Sequence, residues 1–137
     1  MEEAWEFFSN PANLQKITPP DMNFIIRTEV PEKIYPGLII IYKVSPLLHI
    51  PMNWVTEITH VRKPLYFVDE QRSGPYSVWH HEHHFEEVPG GIMMTDRLFY
   101  KAPMGFIGNI LDALLIHKRV EGIFRYRTRV LSGIYKF

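Results

Sequence analysis

Between residues 23 and 101, prolines, glycines and charged turns cut the chain into short runs rich in β-branched and aromatic residues. Runs of this kind, separated by turn residues, are the pattern of successive strands. Six can be drawn, at approximately 23–30, 38–45, 50–61, 65–72, 77–88 and 92–101, with breaks at Pro31 to Gly37, Pro46, Arg62 to Pro64, Ser73 to Pro75 and Pro89 to Gly91. The breaks are too short for parallel crossovers, which need roughly a dozen residues or more, so an antiparallel meander is expected.

The flanks have helical spacing. Ala4, Trp5, Phe7 and Phe8 form an apolar side, and Asn10-Pro11 then restarts a helix, Asn as the cap and Pro at the first position, where its missing N–H costs nothing. Pro19-Pro20 stops that second short helix. From Gly105 to about Gly133, Ile107, Ile110, Leu111, Leu114 and Leu115, then Val120, Ile123, Phe124, Val130 and Leu131, recur at helical spacing. A helix of that length reaches roughly 40 Å and must lie across the whole sheet. The expected class is α+β: two short helices, six antiparallel strands and a long C-terminal helix.

A single domain covering 1–137 is expected, since 46% hydrophobic and 14% aromatic residues suffice for one packed core. Fifteen basic residues balance fifteen acidic ones, so no overall field draws the chain to nucleic acid. No apolar run approaches the roughly 20 residues of a membrane span, and Met1 is followed by Glu2 and Glu3. With no cysteine, disulfides, thiolate catalysis and cysteine-ligated metals are excluded, and a soluble, cytoplasmic protein is expected. The basic cluster Lys118, Arg119, Arg125, Arg127 and Arg129 reads as the solvated face of the long helix; a contact with an acidic protein partner is the alternative.

Functional interest concentrates at His80, His81, His83 and His84, four of seven histidines within five positions. Strand alternation puts Trp79, His81, His83 and Phe85 on one face and Val78, His80, Glu82, His84 and Glu86 on the other. The aromatic-bounded set faces inward, and His80 and His84 face solvent. On the neighbouring strands Phe67, Asp69 and Gln71, and Asp96, Leu98 and Tyr100, are assigned inward because Glu70, Arg72 and Arg97 are harder to bury. Asp69, Gln71, His81, His83, Asp96 and Tyr100 thus converge among Trp54, Ile58, Trp79 and Phe85. So many polar groups seldom all pair in a dry core, and an apolar-lined cavity with a few convergent polar groups is the usual form of a small-molecule site.

Several readings compete. His81 and His83 with Asp96 could ligate a divalent metal. A His–Asp pair could act as general base, although no nucleophile or oxyanion loop is evident. The same groups could bind each other, water and the polar end of a ligand, which is the favoured reading, or fill a core as satisfied histidines. No metal or cofactor is therefore expected. Ser73-Gly74-Pro75-Tyr76 reads as a hairpin turn, at the cavity mouth if it is functional.

Phe8-Ser9-Asn10-Pro11 through Leu14, Ile17-Thr18-Pro19-Pro20, Ile50-Pro51 with Trp54, Phe67-Val68-Asp69-Glu70-Gln71, Gly74-Pro75-Tyr76, Trp79 to Phe85, Asp96 to Tyr100 and the Pro103 to Gly108 turn occur in an order that resembles the START-like, or Bet v 1-like, superfamily, and within it bacterial SRPBCC proteins similar to polyketide cyclases. The resemblance implies a helix-grip fold, a curved sheet around the long helix with a cavity for a lipid, polyketide-like or other apolar molecule. With the strand faces read above and the inner side of the long helix, the expected lining is Trp54, Ile58, Phe67, Asp69, Gln71, Trp79, His81, His83, Phe85, Asp96, Leu98, Tyr100 and Leu114. The superfamily has a strand before the first helix, whereas here Met1 to Trp5 leads directly into the helix. Either the start is truncated or the sheet closes with six strands and a free edge, through which a homodimer could form. Carriers, receptors and cyclases share the fold, so it does not choose among them.

Overall fold

The computed structural model describes residues 1–46, 49–102 and 110–135. Helix α1 (Glu2–Phe8) and a 3-10 helix (Pro11–Ile17) precede the strands β1 (Ile25–Ile26), β2 (Ile39–Val44), β3 (Met52–Arg62), β4 (Tyr66–Ser73), β5 (Val78–Val88) and β6 (Gly91–Lys101). These form one antiparallel sheet whose spatial order is the chain order, and helix α2 (Ile110–Ile134) follows. This is the expected α+β arrangement. The turn expected at Pro103 to Gly108, the start of the helix at Gly105, and the side chains of Ile110 and Leu111 lie outside the described residues.

The restart after α1 forms as its residues require. The Asn10 side-chain oxygen accepts from the Ala12 N–H at 3.0 Å and Pro11 takes the first helical position, though the segment winds as a 3-10 helix. A further 3-10 turn, Pro20–Met22, ends at Asn23 in the left-handed region (φ 49°). That conformation keeps Asn23 out of the first strand, expected over 23–30 but only two residues long. Beyond Ile26 the Arg27 N–H still donates to Ile41 O at 2.8 Å, but the Ile41 N–H donates to the Thr28 hydroxyl at 3.2 Å. A side chain thus replaces the backbone acceptor, and the ladder ends there.

The β3–β4 register slips between Val55 and Thr56 and again between Ile58 and His60. Each slip leaves extra residues on one strand and bends it, which curls the sheet. The core gathers Phe24, Ile40, Tyr42, Val44, Trp54, Ile58 and Tyr76, with Ile116 and Val120 of α2 packed into it. A second cluster, Trp5, Phe67 and Phe85, sits under α1. Lys63 at the β3–β4 turn bonds Glu6 of α1 at 2.8 Å.

The phase of α2 departs from expectation. Leu114 and Leu115 are 51% and 45% exposed, while the inward stripe is Ile116, Val120, Ile123, Arg127 and Leu131. Two members of the supposed solvated face are also turned in: Arg119 donates to Pro46 O at 2.9 Å and pairs with Asp21 at 2.9 Å, and Arg127 is buried. Lys118, Arg125 and Arg129 are exposed as expected. Among the described residues no helix is long and apolar enough to cross a membrane.

Candidate functional site

Strand β5 carries the site. Trp79, His81, His83 and Phe85 point to the concave face, and His81 and His83 are 4% and 8% exposed. The ladders place Asp69 opposite His81 and Asp96 opposite His83. The close contacts run diagonally: His83 Nε2 lies 2.6 Å from Asp69 Oδ2, and His81 Nε2 lies 2.9 Å from Asp96 Oδ1. Directly opposite, His81 Nδ1 is 3.8 Å from Asp69 Oδ2, and His83 Nδ1 is 3.1 Å from Asp96 Oδ1 without the alignment a hydrogen bond needs. Two imidazoles, with ring centres 3.8 Å apart, therefore lie between two carboxylates.

Such a cluster titrates as a unit. Burial pushes the His83 pKa down, but its contacts with Asp69 and Asp96 outweigh this and raise it. His81 moves the other way, lowered by burial and by the charge of His83 against the pull of Asp96 and Asp69. Burial would raise both carboxyls; the imidazoles outweigh it and hold Asp69 and Asp96 below the ordinary carboxylate range. Of the two imidazoles, His83 is the one whose protonated form the carboxylates favour more.

In front of the cluster a cavity of about 140 Å³ lies between the sheet, the 3-10 helix and α2. Of the residues expected to line it, Trp54, Ile58, Phe67, Asp69, Trp79, His81 and His83 do so. The others have different roles. The Gln71 carboxamide is held by the turn, donating to Tyr76 O at 2.6 Å and accepting from the Tyr76 N–H at 3.0 Å, so it fixes Tyr76, which does line the cavity. Gly74 belongs to the same clamp, since a Cβ there would sit 2.8 Å from Gln71 Oε1. Phe85 belongs to the cluster under α1, Leu98 packs against the main core, and Asp96 stands behind the histidines. The Tyr100 hydroxyl is 3.0 Å from His117 Nδ1, and Leu114 faces solvent.

Tyr42 and Arg127 also line the cavity; Tyr42 was not singled out in the sequence, and Arg127 was read as part of the solvated basic face. Burial raises the Tyr42 phenol, whose oxygen is 3.0 Å from the Thr56 hydroxyl, and pushes the Tyr76 phenol up to about 12. The signal for Arg127 was present: it falls at helical spacing with Val120, Ile123, Phe124 and Leu131, on the inward stripe rather than opposite it.

Asp69, His81 and His83 each offer one ligand atom within 4.8 Å of the others, a donor set suited to a divalent metal. Imidazole nitrogens of both histidines already contact carboxylates, and the charge of Arg127 bears on Asp69, which disfavours an added cation. His80 and His84, expected to face solvent, are half-buried on the convex face, with Glu70 2.6 Å from His80 Nδ1 and Glu82 2.8 Å from His84 Nε2. The Glu70 contact raises the His80 pKa.

No family model matches the chain, and no curated protein does. Among solved structures it is similar to the crystal structure of protein Ms6760 from Mycobacterium smegmatis, with a TM-score of 0.65 and 19% identity over 97% of this chain and 84% of that one. At that identity the likeness concerns the fold alone.

Proposed function

We propose that this protein is a non-enzymatic, cytoplasmic binding module of the START-like, Bet v 1-like superfamily, holding an apolar or amphipathic small molecule between the sheet and α2. The observation that carries this reading is the mixed lining of the cavity, aromatic and aliphatic over most of its wall, with buried polar groups converging at Asp69, His81, His83 and Arg127. A volume of about 140 Å³ is close to that of engineered apolar cavities that take up benzene, which favours a ligand body of about one ring or a short chain. Native mass spectrometry of freshly purified protein, with extraction and identification of any bound compound, tests it; no bound species and no response to a panel of small aromatic and aliphatic ligands would refute it. The six-stranded sheet also leaves β6 paired on one side only among the described residues, and dimerisation through that edge is part of the proposal, to be checked by light scattering.

A second reading, an acid–base enzyme of the cyclase, dehydratase or hydrolase kind, draws on the close His81–Asp96 and His83–Asp69 pairs beside the cavity. If it holds, His81→Ala abolishes turnover and leaves ligand affinity largely intact, whereas in a binding module the substitution lowers affinity. The third, a protein-interaction surface on the basic helix, is weakened because Arg119 and Arg127 are turned inward; loss of a pull-down on charge reversal at Arg125 and Arg129 would support it.

A further inference from the structure

Among the described residues, three buried side-chain nitrogens at the cavity lack a hydrogen-bond partner: His83 Nδ1 still lies 3.1 Å from the carboxylate of Asp96, and the other two belong to Arg127 and Trp54. Arg127 is 9% exposed, lines the cavity from α2, and its Nε–H meets no acceptor. Its guanidinium carbon lies 5.1 Å from the centre of the Phe124 ring, and among the described residues no carboxylate comes within 4 Å of its nitrogens. Trp54, 5% exposed on β3, lines the same cavity, and its indole N–H is likewise unmatched. A buried donor without an acceptor is costly, and a buried cation with no carboxylate in contact more so. Neither group can escape by changing state, since arginine keeps its proton and the indole nitrogen only donates.

From these two donors we infer that the cavity takes a small apolar carboxylic acid as its anion, with the carboxylate on Arg127 and the indole N–H of Trp54 and the hydrocarbon body against the aliphatic and aromatic wall. This rests on the binding reading above and names the ligand class for it. A guanidinium is the side chain best matched to a carboxylate, in charge and in its planar fork. A neutral alcohol or ketone would satisfy one N–H and put no anion in contact with the guanidinium; an amine would meet Arg127 as a like charge. Asp69 and Asp96 do not replace the ligand, because their close contacts are with His83 and His81.

Matched pairs of probes test this: phenylacetate against 2-phenylethanol, and octanoate against 1-octanol, titrated by calorimetry and tryptophan fluorescence into the wild type and Arg127→Gln. The wild type should prefer each acid to its alcohol by at least about tenfold, the worth of a charge-assisted hydrogen bond. Arg127→Gln should reduce the preference to less than about threefold. Trp54→Phe, which keeps the ring and removes the donor, should weaken the acids by several-fold. If the alcohols bind the wild type as tightly as the acids, or only neutral ligands bind, the inference is overturned and the binding module stands. If no ligand of any class binds, the module itself is refuted. The wild-type comparison decides the matter even if Arg127→Gln does not fold.

Discussion

Replacing Asp96 by Asn keeps the shape of the side chain and removes one of the two carboxylates that hold the imidazole pair. Asp96 Oδ1 lies 2.9 Å from His81 Nε2 and 3.1 Å from His83 Nδ1, and its side chain is about four-fifths buried. Loss of a hydrogen bond to a charged group costs about 1.5–3 kcal/mol, and breaking a fully buried ion pair about 3–5. With this residual exposure, about 2–3 kcal/mol at neutral pH is expected. The pH profile is the sharper test. The folded pKa of His83 is raised, so its contribution is complete below the unfolded value of about 6.5 and is lost as pH rises through the folded value. The folded pKa of His81 is lowered, so below about 6.5 the unfolded chain takes a proton that the folded one refuses, and stability falls until the folded value is passed. Together the pair places a stability maximum near 6.5. Both carboxyls are depressed, so their contribution is present above the unfolded value of about 3.9 and is lost as pH falls through the folded values. In Asp96→Asn the rise of His83 shrinks, flattening the alkaline limb, and His81 is depressed further, extending the acidic limb. Urea unfolding followed by tryptophan fluorescence from about pH 5 to 8 reads both limbs. Parallel wild-type and variant curves, or a loss below about 0.5 kcal/mol at neutral pH, would refute this account of the cluster.

Phe85→Ala removes a ring that meets Trp5, Phe8 and Phe67 at centroid distances of 5.7, 5.8 and 6.2 Å. It should cost about 3–5 kcal/mol in denaturant unfolding, with ligand affinity of the folded protein little changed, because Phe85 does not line the cavity. Gly74→Ala should displace the Gln71 carboxamide from its two bonds to Tyr76 and cost about 1–2 kcal/mol; Gln71→Ala added to it should cost little more, and full additivity of the two would reject the clamp. Affinity for phenylacetate should rise as pH falls from about 7.5 to 6, because the ligand's negative charge favours proton uptake by the imidazole pair of His81 and His83, which faces Asp69 on β4 and Asp96 on β6. Calorimetry in buffers of different ionisation enthalpy measures that uptake, and a value of zero rejects it.

The meander could be read from the sequence because each turn is marked by Pro, Gly or charge, and the inward face of β5 because Trp79 and Phe85 bracket His81 and His83 with period two. Alternation assigns a side chain to a face but not to a partner. Gln71 faces inward as expected yet is fixed by the turn three residues on, a contact that depends on a Gly-sized gap at position 74. The same limit applies to Tyr100, which bonds a helix histidine, and to Leu98, which packs in the core. On α2, Leu111, Leu114, Leu115, Val120, Ile123 and Phe124 all recur at helical spacing, but the first three and the last three fall in different phases; only docking on the sheet selects the phase that exposes Leu114 and buries Arg127. Counting charge along the chain placed Arg127 among solvated residues, although its spacing from Val120 and Leu131 puts it on their stripe, and such a conflict between charge and period marks a position that local propensity does not explain. Arg127 and Trp54 are distant in sequence and meet one cavity only because α2 crosses the concave sheet. Their unmatched N–H groups are a property of that crossing, and they make the acid-over-alcohol preference a test of how the helix is docked as well as of what the cavity binds.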